Sequence, residues 1–192
     1  MLGGFAKISE KLSEGLDIRL NHRVEKIDYT GSSVIISCKG EVFEAKKVLV
    51  TVPLGVLKSN TLKFVPDLPP AKQEAIELIG MNCVNKYFLV FEEAFWDNYQ
   101  MIGYSGSNPR KYSYFVNLKF HDPNNNSLMT FAFSQPARDT ELMSDQQVVD
   151  EIMDCLRDIY GKDIPAPVKF LRTKWNSNPN AYGAYSYFGL GS

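Results

Sequence analysis

Lys86 lies inside the run Val84–Phe91, VNKYFLVF, which is otherwise almost wholly apolar or aromatic. If the run is a strand, side chains alternate between faces, and Lys86 shares its face with Val84, Phe88 and Val90. A lysine in that company is either an edge residue reaching for water or an amine kept for chemistry. Two other stretches could carry chemistry. In TVPLGVL (51–57) a β-branched run breaks at Pro53, and Gly55 lets the backbone pass close to another group. Near the C-terminus Trp175, Tyr182, Tyr185, Tyr187 and Phe188 fall within fourteen residues. Each has a plain alternative: a snorkelling lysine, an ordinary turn, and a strand rich in tyrosine.

Other chemistries find no support. The two histidines, His22 and His121, are far apart and lack ligand-spaced partners, so no metal site is expected. GYSGS (103–107) sets its serine one step off the G-x-S-x-G spacing and reads as a turn. Neither a G-x-x-x-x-G-K-[ST] loop nor a G-x-G-x-x-G turn occurs. Cys38, Cys83 and Cys155 are an odd, widely spaced set, which suggests reduced thiols inside a cell. The start, MLGGFAKISEKL, lacks the basic and apolar regions of a signal peptide. The expected location is therefore intracellular, first of all cytoplasmic, with peroxisome and nucleus left open. With Lys+Arg 21 against Asp+Glu 22 and no basic block, nucleic acid is not an expected partner. No apolar run is long enough to span a bilayer, so none is expected to enter a membrane.

The elements that must position these residues follow from periodicity. Phe5, Ile8 and Leu12 predict an opening helix ended near Gly15. Strands are predicted at 17–21, 23–29, 34–38 and around EVFEA (41–45), with 46–53 as a buried strand. A helix over 69–79 begins with tolerated prolines. Ser144 and Gln147 form a capping box ahead of the stripe Val148, Val149, Ile152, Met153, Leu156 and Ile159, which predicts a helix over 144–160. Together these give an α+β fold, a mixed or antiparallel sheet with helices packed on it. Its sheet is expected from roughly 53–65, 84–91, 101–104, 112–119 and 128–133. With 44% hydrophobic residues the chain can build a sizeable core.

Taken together and in order, these stretches resemble the flavin-dependent amine oxidase family, and within it polyamine oxidases and the related lysine-specific histone demethylases. The resemblance rests on EGLDIRLNHRVEKIDY, on KKVLVTVPLGVLK, and on LKFVPDLPPAKQEAIELIGMNCVNKYFLVFEEAFW. It continues through YFVNL, QPARDTELMSD and the closing W-x-x-x-P-x-x-x-G-x-Y-S-Y, with Trp175, Pro179, Gly183, Tyr185 and Tyr187 in register. It implies that Lys86 is the catalytic lysine that holds a water at the flavin N5. It also implies FAD as cofactor, contacted by Val24, Thr51, Pro53, Leu54 and Trp175. Tyr185 is implied as an aromatic wall for a small-molecule amine substrate. The implied reaction moves hydride from the amine's α-carbon to flavin; imine hydrolysis then gives an aldehyde, and oxygen is reduced to peroxide.

The same resemblance divides the chain into a partial FAD-binding segment (1–52), a substrate-binding domain (53–170) and a return segment to the FAD-binding domain (171–192). The family's glycine-rich FAD-binding unit has no counterpart in these residues. The chain is therefore expected to be an internal fragment that is inactive by itself. Two alternatives stand beside this reading. One is a binding or scaffold module that has lost oxidation, and the other is an oxidase of the histone-lysine demethylase kind.

Overall fold

The computed structural model describes residues 5–189 and Gly191. The chain folds as two compact units, one of residues 1–49 and 61–68 and the other of 50–60 and 69–192.

In the first unit, the helix α1 (Ala6–Ser13) ends as expected before Gly15, whose φ is +78°. Strands β1 (Val24–Asp28), β2 (Val34–Cys38) and β3 (Glu41–Ala45) form an antiparallel meander. Strand β4 (Lys63–Val65) joins β1 in parallel, completing the order β3-β2-β1-β4. Three expectations fail. Residues 17–21 and 46–53 form no strand, and Leu49 is 87% exposed. A β-branched run without a ladder partner stays irregular, because its backbone groups are satisfied as well by water. Residues 63–65 pair with β1 and do not belong to the sheet that carries Lys86.

The second unit holds α2 (Leu54–Lys58), α3 (Pro70–Leu78) and the short strand β5 (Ile79–Met81). Strands β6 (Val84–Val90), β7 (Met101–Gly103), β8 (Lys111–Asn117) and β9 (Ser127–Phe133) come next. Two helices follow, α4 (Ser134–Glu141) and α5 (Asp145–Tyr160), and then strands β10 (Lys169–Arg172) and β11 (Ser186–Phe188). The main sheet is antiparallel throughout, in the order β10-β6-β9-β8-β7. β11 pairs separately with β5.

One face of the main sheet is buried. Tyr87, Leu89, Phe115, Leu128 and Ala132 pack there with Ala137 of α4 and with Val148, Ile152 and Leu156 of α5. Burying each large apolar side chain contributes roughly 1.5–3 kcal/mol. The capping box of α5 forms as read: Gln147 N–H donates to Ser144 Oγ, and Ser144 N–H donates to Gln147 Oε1. No helix among the described residues is long and apolar enough to cross a membrane.

Candidate active site

The alternation in β6 decides what Lys86 faces. Asn85, Tyr87 and Leu89 are fully buried on the helix-covered side, and Lys86, Phe88 and Val90 are half-buried on the other. Lys86 lies opposite Phe131 of β9. Its ammonium is 6.0 Å from that ring's centroid, at the outer limit of a cation–π contact. Phe131 in turn lies 5.1 Å from Tyr114 and 6.0 Å from Phe133. Lys86 thus sits on an aromatic surface, and no carboxylate among the described residues pairs with its ammonium.

The backbone of Lys86 is held from the segment beyond β10. Its N–H donates to Thr173 Oγ1 at 2.9 Å, and its carbonyl accepts from Thr173 N–H at 3.0 Å. Next to it, the buried Asn85 side chain joins three elements. Its amide nitrogen donates to Ala137 O at 3.1 Å and to Glu141 Oε1 at 2.8 Å. Its Oδ1 accepts from Thr173 Oγ1 and from the Trp175 N–H, both at 3.1 Å. The strand that carries Lys86 and the segment that carries Trp175 are therefore fixed to one side chain.

Glu141, at the end of α4, completes this clamp. Besides Asn85 it accepts from Asn176 N–H at 2.9 Å and from Ser177 N–H at 2.8 Å. Burial pushes its carboxyl up, but the hydrogen bonds from Asn85, Ser177 and Asn176 outweigh that and hold it below the ordinary 4.5. Burial, with Glu141 alongside, pushes the Cys83 thiol up to about 11, so it stays protonated.

Because the folded carboxyl ionises more readily than the unfolded one, its stabilisation is full above the ordinary carboxylate range. It is lost as pH falls from there through the folded pKa. Glu141→Gln is accordingly expected to be less stable than wild type at neutral pH, with the gap closing as pH falls from the ordinary carboxylate range through the lowered folded pKa. Urea unfolding across pH 3–7 measures this; parallel curves would exclude a role for the charge.

The closing loop reaches the same place by close backbone packing. Gly183 N–H donates to Trp175 O at 2.8 Å, Ala184 N–H donates to Asn82 O at 2.8 Å, and Asn82 N–H donates to Tyr185 O at 2.9 Å. Three residues here are left-handed: Tyr182 (φ +51°), Gly183 (φ +136°) and Tyr185 (φ +65°). The two tyrosines, as non-glycine residues at positive φ, store strain of a kind that clusters at functional loops. It leaves the Tyr185 side chain 68% exposed and the Trp175 side chain 38% exposed, on a backbone that is itself tied down.

Of the predicted residues, Pro53 is the N-cap of α2 and is exposed, and Leu54 opens that helix, half-buried. Gly55 packs α2 against the carbonyls of Ala181 and Tyr182. Pro53 and Leu54 therefore border the loop that presents Trp175 and Tyr185. Thr51 is exposed just before α2. Val24 belongs to the first unit, half-buried at the start of β1. Sequence reasoning missed Asn85 and Glu141. For Asn85 a signal existed, since alternation places this amide on the apolar side of the strand, where a polar group needs partners. For Glu141 nothing local marks it among the charged residues of its helix.

Residues 1–192 match the family described as flavin containing amine oxidoreductase. The chain belongs to that family. Polyamine oxidase 4 of Oryza sativa subsp. japonica is 38% identical over 188 residues, covering 97% of this chain and 38% of the relative. Polyamine oxidase 2 of Arabidopsis thaliana is also 38% identical, over 190 residues. Lysine-specific histone demethylase 1B of Mus musculus is 34% identical over 98% of this chain and 24% of its own length. Putrescine oxidase, solved with putrescine bound, superposes with a TM-score of 0.80 at 23% identity, over 98% of this chain and 42% of that one. This last likeness establishes an amine-oxidase fold. The chain spans less than half the length of each of these relatives.

Proposed function

We propose that this chain is part of an FAD-dependent amine oxidase acting on polyamines. The observation that carries the proposal is Lys86 on its aromatic surface, paired with no carboxylate among the described residues, on a strand clamped through Asn85 to the segment that presents Trp175. Two exposed aromatic rings on a fixed backbone suit a flat heteroaromatic group such as a flavin. Trp175, Leu54, Pro53 and Thr51 would hold it. When bound, FAD supplies the two-electron acceptor for amine oxidation. The chain's own residues bind, orient and exclude water. Phe131, Phe133 and Tyr114 keep the surface around Lys86 dry, the Tyr185 ring orients a cationic amine by its π face, and the Lys86 ammonium holds a water in place. The division into cofactor segments (1–52 and 171–192) and a substrate domain (53–170) belongs to the same proposal. So does an intracellular setting, which the free thiols of Cys38, Cys83 and Cys155 support.

The test is amine-dependent peroxide release by the flavin-loaded full-length protein that contains this chain, with spermine, N-acetylated polyamines and a methylated-lysine peptide. Peroxide with the polyamines is expected. Peroxide only with the peptide would move the protein to the demethylase branch, and none with any amine would leave a binding module.

A further inference from the structure

A cleft of about 430 Å³ in the second unit has no place in the reading above. It is lined by Asn82, Arg110, Ser134, Gln135, Arg138 and Tyr187. It forms where the chain leaves β9 for α4, with Phe133 N–H donating to Arg110 O and Ser134 N–H to Cys83 O, both at 2.8 Å.

Apart from the Gln135 side-chain oxygen, whose amide nitrogen donates to Asp139 at 2.8 Å, the polar groups left open around it can all donate. The Arg110 guanidinium has no hydrogen-bond or ion-pair partner among the described residues. Arg138 donates from Nε to Asn176 Oδ1 at 3.2 Å and from one terminal nitrogen to Met81 O at 3.0 Å. Its other terminal nitrogen has no acceptor among the described residues. The Asn82 oxygen is taken by Cys83 N–H at 2.8 Å, which leaves the amide NH2. The hydroxyls of Ser134 and Tyr187 and the backbone N–H of Gln135 are likewise uncommitted among the described residues. The first turn of α4 holds no acidic residue and its N-cap supplies no side-chain bond. No carboxylate among the described residues lines the cleft.

Two guanidinium groups on one concavity repel each other unless an anion lies between them, and their forked donors match planar or tetrahedral oxyanions. We propose that this cleft binds a small oxyanion, the phosphate or carboxylate end of a small molecule. The proposal is independent of the amine-oxidase reading.

Isothermal titration of the chain with inorganic phosphate and, separately, with succinate tests it, at fixed ionic strength in chloride. Saturable one-to-one binding is expected for at least one probe. Tighter phosphate binding would mark a phosphate-bearing ligand, and tighter succinate binding a carboxylate-bearing one. Arg110→Gln, at an exposed position, should weaken binding by about tenfold or more. Lys162→Gln removes an equal charge away from the cleft and should leave binding unchanged. Absence of saturable binding of either probe overturns the proposal, as would equal weakening by the two substitutions, which would reduce the cleft to basic surface.

Discussion

Lys86→Met in the flavin-loaded protein is expected to slow amine-dependent peroxide release by about a hundredfold or more, with little change in KM. The substitution keeps an unbranched stem against Phe131 and removes only the ammonium. No described carboxylate loses a partner, so no buried charge is stranded and the fold should persist. What is lost is the positive charge over Phe131, the group proposed to hold the reacting water. Following the reduction and reoxidation of the flavin by stopped flow separates the half-reactions. Wild-type rates in both would return Lys86 to the role of a snorkelling strand residue.

Gly55→Ala is expected to destabilise the second unit by about 3 kcal/mol, at the upper end of what overpacking costs. A Cβ at this position would overlap the Ala181 carbonyl oxygen and come within 2.6 Å of the Tyr182 oxygen and 2.8 Å of its carbonyl carbon. These are backbone atoms, and they belong to a loop already held in left-handed conformations and pinned to Asn82. Neither side has a flexible side-chain end that could yield. Urea denaturation of the variant should show a lowered midpoint with an unchanged slope. A midpoint equal to wild type would mean that α2 can slide off the loop at no cost. The close backbone approach expected at Gly55 from TVPLGVL is thus present, and the requirement is steric crowding, not an unusual φ.

Periodic elements were legible in the sequence because their signals are local. The stripe and capping box of α5, the proline-initiated α3 and the alternation of β6 all depend on residues within one turn or one pleat. What failed depended on pairing. Residues 46–53 read as a buried strand because they are β-branched, yet only a neighbouring ladder makes such a run a strand. Residues 63–65 were assigned to the wrong sheet because their partner, β1, is some forty residues away. The site shows the same division. The face occupied by Lys86 followed from parity alone. The clamp of Asn85, Glu141, Thr173 and Trp175 joins residues as many as ninety positions apart, and no local pattern encodes that.

Arg172, the last residue of β10, is 5% exposed. Its guanidinium donates to the Thr140 and Met143 carbonyls at 2.6 and 2.7 Å and pairs with Asp145 at 2.7 Å. One side chain thus closes the C-terminal end of α4, the turn after it and the start of α5, while its own strand is laddered to β6. Fraying at any one of these ends would take a partner from a cation that the others keep buried, so they are expected to open together. In hydrogen-exchange terms β10 and the facing ends of α4 and α5 form one cooperative opening unit. The residues that grip Trp175 sit at its edge, so the candidate site is anchored to a part of the molecule that opens together.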